Sequence, residues 1–212
     1  DSVAAITPAD LRGAVAQRFA AANATVGVVG DIDPQTLGLL LDRTLGELPA
    51  RARTATIAET RPAPVASISV IRKPVPQSVV RFGMPGLKRS DPDFYAAYLM
   101  NHVLGGGSFT SRLYGEVREK RGLAYSVYSY LSTLDRAGLL AGGVASANER
   151  VAEAIEVIRD ELSHLRAEGI TEDELRDAKT YINGAYPLRL DSNTSIARSL
   201  VAIQLEDLGI DY

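Results

Sequence analysis

The sequence predicts an α+β domain in which helices pack on one side of a largely antiparallel sheet. Two observations support this class. The strand patterns at 124–131 and 139–146 are separated only by a turn around 135–138, and so short a connection joins antiparallel neighbours. Amphipathic helical patterns recur along the rest of the chain. A doubly wound parallel sheet is the alternative, but the strands are half polar, whereas parallel strands buried on both faces tend to be continuously apolar.

The first 64 residues predict two helices with a strand between them. Thr7 is a hydroxyl cap before Pro8 and Asp10, so a helix should begin there and end near residue 23. A β-rich run at 25–29 should form a strand that turns at 30–34 into the second helix. The apolar residues of the two helices are Leu11, Val15 and Phe19, then Leu37, Leu40, Leu41 and Leu48. Residues 49–64 lack an apolar period and predict an extended connection.

The middle of the chain predicts two adjacent strands and two helices. Strand patterns at 66–72 and 78–84 flank two prolines, and the second places Ser78, Val80, Phe82 and Met84 on one face. Ser90 should cap a helix that buries Phe94, Tyr98 and Val103 and ends at the glycines 105–107. Another helix should run from about 108 to 122.

Three further helices follow the strands at 124–131 and 139–146. The first is the clearest in the chain, because its apolar residues step by four and three positions along one side. They are Val151, Ile155, Ile158, Leu162 and Leu165. Thr171 and Glu174 form a capping-box pattern that starts the second, and the third carries Ile196, Leu200 and Ile203.

Composition excludes several classes of protein. The net charge of −3 and the pI near 5.5 do not resemble the basic footprint of a nucleic-acid binder. No apolar run reaches the roughly 20 residues that a membrane-spanning helix needs. The absence of Cys rules out disulfides, thiolate metal sites and Cys nucleophiles. The length of the chain fits one large domain or two small ones. Because the sequence starts at Asp1 instead of Met, we interpret the chain as an excerpt or a processed piece.

The residue types that commonly carry chemistry do not form a site by spacing alone. His102 and His164 are far apart in the sequence, and neither HExxH nor HxxEH occurs, so an ordinary His-based catalytic zinc site is not expected. The two histidines are predicted to be helix packing or surface residues. Asp31 and Asp33 could hold Mg²⁺, although Asp33 before Pro34 is typical of a helix cap. The run 105–108 could present N–H groups to an anion, but a corner that needs glycine for positive φ is favoured.

The informative stretch is Gly-Gly-Gly-Ser-Phe-Thr-Ser-Arg-Leu-Tyr-Gly-Glu-Val-Arg-Glu-Lys-Arg-Gly-Leu-Ala-Tyr-Ser-Val-Tyr-Ser, residues 105–129. Here the chain resembles the second, non-metal domain of the M16 (pitrilysin/insulinase, mitochondrial-processing-peptidase-like) zinc peptidases. Val-Val-Gly-Asp-Ile-Asp-Pro at 28–34 and Gly-Ile-Thr-Glu-Asp-Glu-Leu at 169–175 match the same family in the same order, so the resemblance spans about 7–182. It implies a single M16 C-terminal-type domain over 1–212 with the M16/LuxS-like metallohydrolase fold.

The resemblance also implies a divided active site. Family members enclose a peptide between two halves, one with an HxxEH zinc site and one with an Arg and a Tyr seven residues apart, which fall here on Arg118 and Tyr125. That pair would bind the substrate carbonyl, while zinc would lie in another domain or partner subunit, and this chain would be inactive alone. The alternative is that the chain is a structural or assembly subunit without a proteolytic role. Because bacterial relatives of this type are often exported, the resemblance suggests the periplasm.

Local sequence is compatible with a convergent pair. Arg118 is predicted in the last turn of a helix, Gly122 should reverse the chain, and Tyr125 should start the next strand. The alternative is that Arg118 pairs with Glu116 or Glu119 while Tyr125 packs in the sheet.

Overall fold

A computed structural model describes residues 2–62 and 67–212, which divide into two compact units. The larger unit is Ala58–Tyr186, and the smaller one combines the residues up to Ile57 with Pro187–Tyr212. The chemistry suggested by the sequence falls almost entirely in the larger unit. None of the helices in these described ranges combines the length and apolar character required to cross a membrane.

The larger unit contains a three-stranded antiparallel sheet. Its strands are β1 (Gln77–Pro85), β2 (Ala124–Leu134) and β3 (Ala137–Ala147), in the order β1-β3-β2. A two-residue turn joins β2 to β3, so the predicted hairpin is present and is tighter than the sequence suggested. The α+β class is confirmed, and the sheet of the described residues has no parallel pair.

Six α-helices and several shorter turns accompany the sheet in the described residues. The α-helices are α1 (Pro8–Arg18), α2 (Pro34–Leu45), α3 (Phe94–Asn101), α4 (Val151–Glu168), α5 (Glu172–Ala185) and α6 (Asn193–Leu205). Two stretches have π-helical hydrogen bonding, His102–Gly106 and Tyr114–Glu119. Four turns are 3₁₀-helical, Val3–Ala5, Ala21–Asn23, Ser108–Thr110 and Pro187–Arg189.

The core of the larger unit lies between one face of the sheet and the helices. Alternate strand residues such as Val127 and Val144 point inward, because successive side chains in a strand face opposite sides. They meet Leu113, which directly precedes the π-helical stretch Tyr114–Glu119, Val117 within that stretch and Ile158 from α4. The predicted inward face of β1 is confirmed for Ser78, Val80 and Phe82, whereas Met84 is 38% exposed at the end of the strand.

Three predicted helix starts are confirmed by their caps. Thr7 and Asp10 form a reciprocal capping box at α1, and Thr171 and Glu174 form another at α5. Asp33 caps α2, since its Oδ1 accepts hydrogen bonds from the backbone N–H groups of the second and third helical residues, both at 2.9 Å. These hydrogen bonds satisfy N–H groups that the helix itself leaves without partners.

Several predicted boundaries are wrong. α1 ends at Arg18 instead of near residue 23, because Phe19 already has an extended backbone. α3 begins at Phe94, and Ser90 lies in the preceding turn instead of at the cap. The helix expected over 108–122 begins with a 3₁₀ turn and ends at Glu119.

Two predicted strands are absent from the described residues. Residues 25–29 alternate between half-buried and exposed as a strand would, but no neighbouring backbone pairs with them. Residues 67–72 also form no strand, and their Ile68 is 89% exposed; Ala66, the first residue of that prediction, lies outside the described residues. β1 pairs with β3 instead. A strand needs a neighbouring strand for hydrogen bonding as well as β-branched residues. The local sequence shows the β-branched residues but does not show whether a neighbouring strand is available.

The corner at Gly105–Gly107 was predicted to need glycine for positive φ, but the structure shows a different reason for the glycines. Gly105, Gly106 and Gly107 all have ordinary backbone angles, and the positive φ of 53° belongs to Ser108. Close packing explains Gly105, because an added Cβ would lie 2.6 Å from the backbone nitrogen of Ser129 in β2. Gly105 therefore lets this corner approach the sheet.

Candidate functional site

Arg118 is held at the sheet-facing end of the π-helical stretch. Leu113 and Val117, both fully buried, fix this stretch against the core. The chain then reverses at Gly122, whose φ is +60° and whose N–H donates to the Arg118 carbonyl at 2.9 Å. Arg118 therefore lies in the last turn before β2, as the sequence predicted.

A β-bulge at Tyr125 turns its side chain away from the core. Ala124 pairs with Ser146 and Ser126 pairs with Ala145, so Tyr125 is an extra residue in β2. Tyr125 and Ser126 are consequently both exposed, between buried residues on either side. The ring of Tyr125 is 79% exposed, which contradicts the alternative in which it packs in the sheet.

The structure brings Arg118 and Tyr125 together. The guanidinium carbon of Arg118 lies 4.5 Å from the ring centroid of Tyr125 and 4.9 Å from that of Tyr114. Tyr114 is buried and holds its place through an edge contact with Phe109, at 5.0 Å between centroids. A half-buried cation thus lies against two aromatic rings, which are favourable partners for a guanidinium.

Sequence reasoning missed Tyr114. Its signal was available, because Tyr114 precedes Arg118 by four residues and side chains at that spacing share one side of a helix. The aromatic ring supports one side of the guanidinium and limits its rotation.

Neither expected carboxylate neutralises Arg118. Glu116 forms ion pairs with Lys120 and Arg121, which hold the pKa of its carboxyl below the ordinary value, and no ion pair of Glu119 occurs among the described residues. The charge of Arg118 is therefore compensated by rings alone in the part of the chain that the structure describes. A guanidinium with unused donors can bind an oxygen that carries negative charge, and a phenol offers one O–H donor.

A bidentate ion pair anchors the segment just before the π-helical stretch to α5. Arg112 donates from Nε and Nη2 to the two carboxylate oxygens of Glu174, both at 2.6 Å, and Nη2 also reaches the Gly169 carbonyl at 3.1 Å. Glu174 additionally accepts the backbone N–H of Thr171 at 2.8 Å. The ion pair joins two segments, 105–129 and 169–175, that resemble the family separately in the sequence. The spacing between Arg112 and Glu174 did not predict this ion pair.

The Arg112–Glu174 pair predicts a specific pH dependence of stability. Hydrogen bonds from Arg112 lower the pKa of Glu174 from 4.5 to about 2. A carboxyl with a lowered pKa stabilises the fold above pH 4.5, and this contribution is lost as the pH falls toward 2. Because the pair is partly exposed, we expect a loss of about 1–2 kcal/mol. Urea unfolding of the parent and of Glu174→Gln at pH 7 and pH 3 measures it.

The variant Asp173→Asn is the matched control for this prediction. Asp173 is the preceding residue, and its ion pair with Arg176 is exposed. The parent and Asp173→Asn should lose more stability between pH 7 and pH 3 than Glu174→Gln loses. Equal losses in all three proteins would show that the pair does not carry the effect.

The other candidates have structural roles in the larger and smaller units. His102 stacks on Tyr181 with 5.2 Å between centroids, and burial lowers the pKa of its imidazole. His164 has a side chain that is 62% exposed and lies 3.8 Å from Glu161. Asp33 is the helix cap described above. Within residues 2–62 and 67–212, no group of three or more His, Cys, Asp or Glu side chains is arranged to hold a metal ion.

Comparison with known proteins shows the family of the chain. The family model described as the peptidase M16 inactive domain matches residues 5–182. The chain belongs to this M16 inactive-domain family. The crystal structure of a peptidase M16 inactive domain from Pseudomonas fluorescens is similar over 100% of this chain and 50% of that one, with a TM-score of 0.88 and 33% identity.

Curated M16 relatives carry two different descriptions. An uncharacterized zinc protease of Streptomyces coelicolor is 31% identical over 225 residues, which cover 100% of this chain and 48% of that protein. A non-peptidase homolog of Helicobacter pylori is 29% identical, over 92% of this chain and 45% of that protein. The chain therefore spans about half the length of the curated relatives that it matches.

Proposed function

We propose that this chain is the substrate-binding, non-zinc half of an M16-type zinc metalloendopeptidase. In this proposal Arg118 and Tyr125 bind the carbonyl oxygen of the peptide bond to be cleaved. The zinc ion would be held by another domain or by a partner subunit, because the described residues do not fit a metal site. A heterodimer and a longer single chain both satisfy this arrangement.

One observation carries the proposal. Arg118 is a half-buried cation without a carboxylate partner, and a bulge directs the adjacent Tyr125 outward beside it. Two donors aimed at one oxygen stabilise the negative charge that develops there during attack on a carbonyl. Pairing with Glu116 would have cancelled this capacity, but Glu116 is occupied by Lys120 and Arg121.

Exposure of the pair accounts for the need for a second half. Water competes for the donors of the half-buried guanidinium and of the exposed phenol, and it weakens their interaction with any negative charge. A facing half that covers Tyr125 would exclude this water and would also bring the attacking group. The isolated chain is therefore proposed to be inactive.

A second candidate function is a structural or assembly subunit with the same fold and no proteolytic role. The description of the Helicobacter pylori relative as a non-peptidase homolog favours it. The two candidates differ in whether residues 118 and 125 affect peptide turnover, so they are separable by experiment.

A reconstitution assay tests the proposed function. Quenched fluorescent peptides are incubated with this chain, with the full-length product, and with each after addition of a zinc-bearing M16 partner. We expect no cleavage by the chain alone and chelator-sensitive cleavage once a zinc-bearing half is present. Absence of cleavage in every combination would favour the structural subunit.

A further inference from the structure

The face of the sheet opposite the core carries a second positively charged feature. We define the outer face by the strand residues that point away from the core, which are Val79, Arg81 and Gly83 in β1, Ala141, Gly143 and Ala145 in β3, and Ser126, Tyr128 and Tyr130 in β2. Small residues in the central strand leave a floor between the longer side chains of the two edge strands. The outer face contains no carboxylate at any of these positions.

Arg81 lies across this floor. It is paired in register with Gly143, which in turn is paired with Tyr128. Nη1 of Arg81 donates a hydrogen bond to the Tyr128 hydroxyl, and its guanidinium carbon lies 5.6 Å from the centre of that ring. A Cβ added at Gly143 would lie 2.5 Å from Nη1, so a side chain at this position would displace the guanidinium.

Arg81 differs in its partner from the arginines of the larger unit that form ion pairs. Six arginines form ion pairs with carboxylates: Arg112, Arg121, Arg136, Arg150, Arg159 and Arg176. Arg81 and Arg118 instead contact tyrosines, and neither has a carboxylate within 4.0 Å among the described residues. A neutral phenol accepts one hydrogen bond from a guanidinium that has five N–H groups, so most donors of Arg81 remain available.

The geometry of β2 sets the distance along the strand between the two tyrosines that contact the cations. Tyr125 is the bulged residue, and Tyr128 lies two regular positions beyond Ser126 on the same face. At about 3.4 Å per residue, the phenol that holds Arg81 is about 7 Å farther along β2 than the bulge. Two residues of an extended peptide span the same length.

We propose that Arg81, held by Tyr128, is a subsite for an acidic side chain of the peptide substrate. The inference rests on the proposed function of the Arg118–Tyr125 pair. A peptide whose carbonyl oxygen is bound at that pair places a Glu or Asp about two residues away over Gly143. Its carboxylate receives the free donors of Arg81 in a charge-assisted hydrogen bond. The complementary charge of the outer face selects this occupant over a basic side chain.

The test uses the active assembly that contains this chain with its zinc-bearing half. Fluorogenic peptides carry Glu, Gln or Lys at each position within three residues of the cleaved bond. At one position about two residues from that bond, kcat/KM for Glu should exceed that for Gln by about tenfold. Arg81→Gln should reduce the Glu-to-Gln ratio to about one, and Arg81→Glu should favour Lys. Arg159→Gln, an exposed change of the same charge on α4, should leave the ratio at its parent value.

The outcomes separate this inference from the function on which it rests. Cleavage without a preference for Glu, or a preference that Arg81→Gln and Arg81→Glu leave unchanged, overturns the acidic subsite and leaves the proposed function intact. Absence of cleavage by the parent assembly overturns both. Circular dichroism and thermal unfolding of each variant establish that it is folded before the ratios are compared.

Discussion

Replacement of Arg118 by Ala in the assembled enzyme is expected to lower kcat by about 10²- to 10³-fold, as removal of one donor to a developing oxyanion does in other enzymes. The peptide KM should change much less, because in the proposed role the contact strengthens as negative charge develops on the carbonyl oxygen. Tyr125→Phe keeps the ring against the guanidinium and removes only the hydroxyl donor, so its effect should also fall on kcat. Steady-state kinetics with one peptide at several concentrations give both constants.

Lys120→Ala is the matched control for Arg118→Ala. It removes a cation two residues away, and this side chain is 67% exposed in an i,i+4 pair with Glu116. Such surface pairs contribute little, so kcat should stay within about twofold of the parent value. Turnover unchanged in both Arg118→Ala and Tyr125→Phe would remove the carbonyl-binding role and favour a structural subunit.

Leu113→Ala is expected to lower the free energy of unfolding by about 3 kcal/mol. Leu113 is fully buried in the cluster that joins the π-helical stretch to the sheet, and its side chain also packs at the glycine corner. Truncation removes buried apolar contacts and leaves a cavity that this close packing cannot fill. Urea denaturation of the parent and the variant at pH 7 measures the difference.

An exposed leucine of the same unit provides the comparison for this stability effect. Leu134, at the end of β2, is 54% exposed, and Leu134→Ala should change the free energy of unfolding by less than about 0.5 kcal/mol. Similar losses in the two variants would mean that the cluster around Leu113 does not carry the stability of the unit. Arg118→Ala, in contrast to Leu113→Ala, should change the free energy of unfolding little and should cause a large loss of kcat.

The sequence predicted the features that depend on nearby residues. The helix caps at Thr7 and Asp33, the capping box at Thr171 and the β2–β3 hairpin all follow from spacing within a few positions. The positions of Arg118 and Tyr125 around Gly122 also followed from local order, once the family resemblance had singled them out.

Features that depend on distant backbone were not predictable in this way. The strands expected at 25–29 and 66–72 required a partner strand that no local pattern can specify. Position 105 requires glycine because Ser129, which lies 24 positions away in the sequence, packs closely against it. From the sequence, this requirement was attributed to a positive φ instead. The bulge at Tyr125 exists only relative to the register of β3, and the contact of Arg81 with Tyr128 crosses Gly143 in a third strand.

The most direct test of the proposed divided active site is a crystal structure of this chain assembled with its zinc-bearing half and a phosphinic peptide. One phosphinate oxygen in such an inhibitor stands for the oxygen that becomes negatively charged during peptide cleavage. We predict that the guanidinium of Arg118 and the hydroxyl of Tyr125 both lie within about 3.2 Å of that oxygen. A bound peptide whose phosphinate oxygen lies beyond the reach of both groups would contradict the account.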